Sequence, residues 1–193
     1  GGASGMAGAA LLAGSAVLHA GAGRVFVGLL DPDAAPVDLA QPELMLRDAR
    51  SLDLSGMTAV CGCGGGADIR AVLPRVLATA PGVVPTPVAL SAIAVDGALQ
   101  AQLASRARRG RPTVITPHPL EAARLLNCAA ADIQADRLAA ARELASRYGV
   151  VAVLKGSGTV IAEGGTPPAV NLTGNARLAT AGTGDVLAGM IGA

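Results

Sequence analysis

The chain has 193 residues with 15 basic and 14 acidic side chains, a net charge of +1, and a composition that is 51% hydrophobic but only 1% aromatic. With one Tyr, one Phe and no Trp it has no platform for stacking bases, and its balanced charge offers no basic face by count, so nucleic acid is excluded as a partner. The length suits one large domain with a substantial core, and the abundance of Ala and Gly suits helices packed closely on a sheet.

Residues 1–23 hold no charged side chain apart from whatever His19 contributes, yet their only large aliphatics are Leu11, Leu12, Val17 and Leu18. That is too weak for a membrane span, and no basic segment of the secretory kind is present, so no membrane association is expected. Glycine-rich Gly1–Gly8 leads into a helix over Ala9–Leu18, ended by Gly21 and Gly23. A strand normally precedes such a loop in an α/β unit, and the expectation is that the sequence lacks its natural start. Arg24–Leu30 reads as a short apolar strand, and Pro42–Met45 lies in an irregular connection.

Thr58–Cys61 is the next strand; it runs into Gly62-Cys-Gly-Gly-Gly66 and then a helix over Asp68–Ala80 with apolar spacing at Ile69, Val72, Leu73, Val76 and Leu77. Strand, glycine loop and helix in that order can cradle a phosphate or a ribose. The spacing Gly62-x-Gly64-x-x-Ala67 meets a loose dinucleotide fingerprint, but the acidic residue about 20 positions on is missing, as that region reads Pro85-Thr-Pro-Val-Ala-Leu. Val88–Val95 reads as a buried strand, followed by Asp96-Gly97 and a helix through Leu99 and Leu103. The basic run Arg106–Arg111 reads as a solvated helix end.

Pro112–Pro117 is a strand left by a stiff Pro117-His118-Pro119 turn, and a helix starts at once over Glu121–Leu126. His118 thus stands at a strand end facing a helix start, where open α/β sheets bind ligands; the other reading is a His that merely caps the turn. Asp132–Tyr148 is one long amphipathic helix stopped by Gly149. Val150–Leu154 has the fully apolar character of a central parallel strand and ends at Lys155-Gly156-Ser157-Gly158-Thr159, before Val160–Ala162 returns. A lysine there, beside glycines and a Thr hydroxyl, suits nucleotide phosphates, although the Walker order is absent and an exposed hairpin lysine is the alternative.

The organising stretch is Gly182-Thr183-Gly184-Asp185, followed by Val186, Leu187, Met190 and Ile191 at helical spacing. Free amides and the positive dipole end at such a helix start would hold the charge of a transferred phosphoryl group, with Asp185 beside it as a base. The bland alternative is a Gly-rich turn whose first-turn Asp favours the dipole. Cys61, Cys63 and Cys128 are odd in number and lack CxxC spacing, which suggests neither a disulfide framework nor a zinc site and makes a reducing cytoplasm the default. Strands alternate with helices and there are no internal repeats, so one doubly wound α/β domain over residues 1–193 is expected.

Four stretches resemble the ribokinase-like superfamily, and specifically its ADP/ATP-dependent NAD(P)H-hydrate dehydratase family: Gly5–Ala13, Thr116–Glu121, Leu154–Ala162 and Asn175–Gly189. The resemblance implies a mostly parallel sheet flanked by helices on both faces. It implies ADP-dependent dehydration of the 6S epimer of hydrated NADH or NADPH, giving the reduced cofactor, AMP and phosphate. By motif, Asp185 would be the base, and Gly182, Thr183 and Gly184 would form the anion hole. Lys155, Gly156, Ser157, Gly158, Thr159 and Gly184 would hold ADP or ATP, with magnesium expected but no protein ligand identified for it. Ala9, Gly64, Gly66, His118, Asn175 and Asp185 would face the hydrate. A fused or separate epimerase and a homo-oligomeric state also follow from the resemblance.

This chain departs from the family pattern in three places. The loop Gly62–Gly66 lacks the family's proline, Leu120 replaces a glycine, and the Asp-Ala-Asp motif is reduced to Ala94-Val-Asp96. Relative to the family, the chain looks truncated at both ends. The alternatives that stay open are a vitamin-precursor or sugar kinase of the same superfamily and a catalytically silent nucleotide-binding domain.

Overall fold

A computed structural model describes residues 1–193. The elements run α1 (Ala7–His19), β1 (Phe26–Leu29), β2 (Met45–Asp48), β3 (Ala59–Cys61), α2 (Ile69–Thr79), β4 (Val83–Pro85), α3 (Pro87–Ala94) and α4 (Gly97–Arg108). They continue with β5 (Val114–Ile115), α5 (Pro119–Leu126), α6 (Ala130–Ala135), α7 (Arg137–Tyr148), β6 (Val151–Leu154), β7 (Val160–Ala162), β8 (Ala169–Val170) and α8 (Thr183–Gly192).

Strand β1 pairs with β2 and β3 with β4, both in parallel. A parallel bridge between Val83 and Thr113 carries β4 on to β5. Strand β6 runs parallel to β5, and β7 and β8 follow antiparallel. The strands are thus mostly parallel, with an antiparallel edge. Strands β1 and β3 are not paired with each other; Gly1–Ala3 links their ends, with Leu30 N–H donating to the Gly1 carbonyl (2.9 Å) and Gly2 N–H to the Cys63 carbonyl (2.8 Å). Below that link lies an apolar cavity of about 360 Å³ whose walls include Val25, Val27, Val60, Val72 and Val76.

Alternation along the strands sends side chains to two helical layers. Ala59, Cys61 and Val83 belong to the larger core with α2, α3, α4, α5 and α7. Val60 and Val84 point the other way and meet Gly192 of α8. Helices α1 and α8 pack at backbone contact: a Cβ on Gly189 would stand 2.4 Å from the Ala13 carbonyl oxygen. No single helix is long and apolar enough to cross a membrane.

Four expectations are corrected. Val88–Val95 is helical, not a strand: Thr86 is extended, Pro87 opens α3, and Ala89, Leu90, Ala92 and Ile93 are buried at helical spacing. The strand of that region is the three-residue β4 just before it. The connection through Pro42–Met45 ends in strand β2. The helix expected over Asp132–Tyr148 is broken at Asp136, whose carboxylate accepts from the Ala139 N–H at 2.8 Å and so caps α7. Arg106 is not solvated but 1% exposed, held by backbone carbonyls and Thr113.

Candidate active site

The site lies at the C-terminal ends of β3 and β6, where the strands hand over to glycine-rich turns, and of β5, which leaves through Pro117-His118-Pro119; α8 begins beside them. Gly182 has φ 87°, a conformation that an L side chain rarely adopts, and a Cβ there would also stand 2.8 Å from Leu12. That turn starts α8 abruptly. The amides of Asp185 and Val186 both donate to the Gly182 carbonyl at 3.0 Å, whereas those of Gly182, Thr183 and Gly184 donate to nothing in the protein. Three unpaired amides at the positive end of a helix form an anion site. The Thr183 hydroxyl is spent elsewhere, on the carbonyls of Thr180 (2.8 Å) and Leu178 (3.0 Å), so Thr183 offers the site its amide alone.

Lys155 reaches this helix start from the end of β6. A Cβ on Gly184 would stand 3.5 Å from the Lys155 Nζ, so the ammonium lies at contact distance from the first turn. The turn that follows Lys155 is equally open. Gly156, Ser157, Gly158 and Thr159 make no backbone hydrogen bond through their amides, and the Thr159 hydroxyl donates to the Gly156 carbonyl at 3.0 Å.

The loop after β3 completes the group. Gly64 has φ 60°, and a Cβ on it would stand 2.3 Å from the Met6 carbonyl oxygen and 3.0 Å from the Ala9 Cβ, so the loop lies on the start of α1 and brings Gly64 and Ala9 together. Gly66, with φ 53°, sits over Ala3 in the same way. Between Gly62 and Gly64 the Cys63 thiol faces the Asp185 carboxylate. Burial first, and then the charge of Asp185 and the hydrogen bond with it, push this thiol up to about 12. Cys63 is therefore a neutral S–H at physiological pH.

His118 takes the capping role. Its Nδ1 accepts from the amides of Leu120 (3.1 Å) and Glu121 (3.3 Å), while the Glu121 carboxylate accepts from the His118 amide (2.8 Å) and lies 3.0 Å from Nε2. Both ring nitrogens are engaged, which leaves the ring face and edge as what His118 presents to a ligand. The Asn175 side chain accepts from the Arg177 amide at 3.0 Å within its own exposed turn. Asp96 accepts from the Ala98 and Leu99 amides at the start of α4, so Ala94-Val-Asp96 is a helix junction, and the strand end of that region, Pro85-Thr86-Pro87, carries no carboxylate.

Two neighbours of the site escaped the sequence reading. Cys63 is one; its place in the middle of a glycine loop at a strand end was the available signal. Thr116 is the other: its hydroxyl is fully buried at the end of β5 and has no hydrogen-bond partner. A buried orphan of this kind at a strand end calls for a ligand or water.

A parallel α/β sheet with an anion-binding helix start, a lysine over it and a first-turn carboxylate is the construction of a ribokinase-like, nucleotide-dependent enzyme, and an Enterococcus faecalis ribokinase-like protein superposes with a TM-score of 0.75 at 26% identity, covering 100% of this chain and 68% of that one. A family model described as NAD(P)H-hydrate dehydratase matches residues 1–193, and the chain belongs to that family. It is 42% identical to the ADP-dependent (S)-NAD(P)H-hydrate dehydratase of Neisseria meningitidis serogroup B, over 100% of this chain and 66% of that protein. It also resembles the ADP/ATP-dependent NAD(P)H-hydrate dehydratase of Bacillus subtilis, co-crystallized with ATP and Mg²⁺ and soaked with CoA, at 31% identity and a TM-score of 0.76, covering 99% of this chain and 70% of that one. The chain thus spans about two thirds of the length of these relatives.

Proposed function

We propose that the chain carries ADP-dependent dehydration of hydrated NADH and NADPH, with (S)-NAD(P)H-hydrate as substrate and AMP and phosphate as the other products. The observation that carries this reading is the meeting of Lys155 with the open amides of Gly182, Thr183 and Gly184 beside Asp185. Hydroxide is a poor leaving group and phosphate a good one, so phosphorylating the C6 hydroxyl makes the dehydration feasible.

Asp185 takes the proton of that hydroxyl as its oxygen attacks the terminal phosphoryl group of ADP, and AMP departs. The unpaired amides at the start of α8 stabilise the charge on the phosphoryl oxygens, and Lys155 neutralises the nucleotide. Departure of phosphate from C6, with loss of a proton from C5, then restores the ring double bond. The residues from Gly156 to Thr159 fit a nucleotide, since their amides are free and glycine keeps the approach open. Magnesium would neutralise charge on the nucleotide's phosphates. No cluster of three or more His, Cys, Asp or Glu offers it a cage, so the nucleotide itself would supply most of its ligands. Ala9, Gly64, Gly66, the exposed edge of His118 and Asn175 would border the hydrate. The reading extends to a cytoplasmic homo-oligomer formed by a single domain and supplied by an epimerase, fused or separate.

The test is recovery of reduced-nicotinamide absorbance from hydrated NADH with magnesium and ADP, with ATP, and with neither. Recovery that requires ADP and yields AMP is the expected result. A stable phosphorylated product without recovery would instead favour a kinase.

A further inference from the structure

We infer that Arg137 is the positioning residue of the nucleotide turn, holding Lys155–Thr159 in the conformation that turns its amides to the phosphates; this rests on the nucleotide reading of that turn. Arg137 is the first residue of α7, and its guanidinium crosses to the end of β6. There Nη2 donates to the carbonyls of Leu154 (3.1 Å), Lys155 (3.3 Å) and Gly158 (3.4 Å), while Nη1 donates to the Gln134 Oε1 (3.0 Å). Its partners are neutral carbonyl and amide oxygens, with no carboxylate among them.

The consequence follows from the planarity of the peptide unit. In a trans peptide the C=O of one residue and the N–H of the next point in opposite directions. Drawing the Lys155 carbonyl toward Arg137 therefore turns the Gly156 N–H away from it, and drawing in the Gly158 carbonyl does the same for the Thr159 N–H. Those two amides are among the ones with no partner in the protein. The Leu154 carbonyl is held likewise, and the following Lys155 N–H donates to the Pro117 carbonyl at 2.9 Å, which fixes the root of the lysine.

Two further facts set Arg137 apart from an ordinary surface arginine. A Cβ on Gly156 would stand 2.9 Å from both Nη1 and Nη2, so the guanidinium packs directly on the turn and a side chain at position 156 would displace it. A cation at the first position of a helix also opposes the macrodipole, so α7 itself gains nothing from it. Its gain lies in the turn.

Calorimetric ADP titration, with melting temperature recorded alongside, tests this on the wild-type chain, Arg137→Ala, Arg137→Lys, Lys155→Met and the Arg137→Ala/Lys155→Met pair. Arg137→Ala should weaken ADP binding about tenfold, and Arg137→Lys, which keeps the charge but loses the planar fork that reaches Gln134 and the turn together, about threefold. In the Lys155→Met background Arg137→Ala should cost a similar further factor, because the amides it orients remain when the ammonium is gone. ADP affinity unchanged in Arg137→Ala, or a further loss of less than about twofold in the Lys155→Met background, overturns the inference. If Arg137→Ala does not fold, wild-type affinity in Arg137→Lys overturns it. Because binding is read without turnover, a wild-type chain that binds ADP but leaves hydrated NADH untouched would refute the dehydratase reading alone; one that binds no ADP would refute both.

Discussion

The two ends of the sheet are built on opposite terms. At the N-terminal ends of β4 and β5, Arg106 is 1% exposed and every donor is used: Thr113 Oγ1 (2.8 Å) and the carbonyls of Leu77 (2.7 Å), Ala80 (3.0 Å), Pro81 (3.1 Å) and Pro112 (3.3 Å) accept from it. At the C-terminal ends, the amides of the α8 start and of the Lys155 turn are unpaired, and the Thr116 hydroxyl is buried without a partner. Since buried polar groups in folded proteins are nearly always paired, saturation at one end signals a structural staple; at the other, the partnerless Thr116 hydroxyl signals a ligand or water, and the part-exposed amides are open to one. The difference separates stability from function along one set of strands.

The largest break should come at the open end. On the proposed mechanism Asp185→Asn removes the base, and steady-state assay of the dehydration should show turnover lower by about a thousandfold with the melting temperature unchanged. At the closed end, Arg106→Met removes a buried cation and orphans its acceptors. Denaturant unfolding should show a loss of about 3 kcal/mol, or roughly 6–12 °C in melting temperature. Lys155→Met should weaken ADP about tenfold by calorimetry without a matching loss of stability, since its ammonium serves the ligand. His118→Ala sharpens the contrast from within the site region, because the ring's cap on α5 is structural: unfolding should become easier by about 1 kcal/mol.

The last effect concerns the buried thiols. Burial raises Cys61 from 9.0 to about 11, and burial together with Asp185 raises Cys63 to about 12. Above pH 9 the unfolded chain releases these protons while the folded chain keeps them, so the stability the neutral thiols contribute is intact below pH 9 and lost as pH rises toward their folded values. Unfolding free energy measured between pH 7 and pH 10 should be flat at first and fall above pH 9, by up to about 1.4 kcal/mol per pH unit for each thiol. Iodoacetamide at pH 8 should label exposed Cys128 and spare Cys61 and Cys63 until the chain unfolds.

What could be read in the sequence divides along the same line. Gly182, Gly184 and the glycines after Lys155 are legible because a turn with positive φ or a close approach leaves glycine as its mark. The alternation of strands and helices is legible because hydrophobic spacing is local. Strand β4 is hidden because it spans three residues beside a longer apolar run, and Pro87 and the burial spacing of α3 decide that run in favour of a helix. The break at Asp136 turns on one capping carboxylate. Arg106, Cys63, Thr116 and Arg137 are illegible for a different reason: each acquires its role from groups brought up by the fold, and a basic run or a lone cysteine looks the same whether it meets water or a ring of carbonyls.

The most direct measurement is the melting temperature of the wild-type chain, Arg106→Met and Lys155→Met with and without saturating ADP and magnesium. If the open end holds the nucleotide and the closed end holds the fold, ADP should raise the melting temperature of Arg106→Met by the same increment as wild type, from a lower start, while Lys155→Met starts near wild type and shifts far less. An Arg106→Met protein that folds yet loses the shift, or a Lys155→Met protein that keeps all of it, would contradict this division.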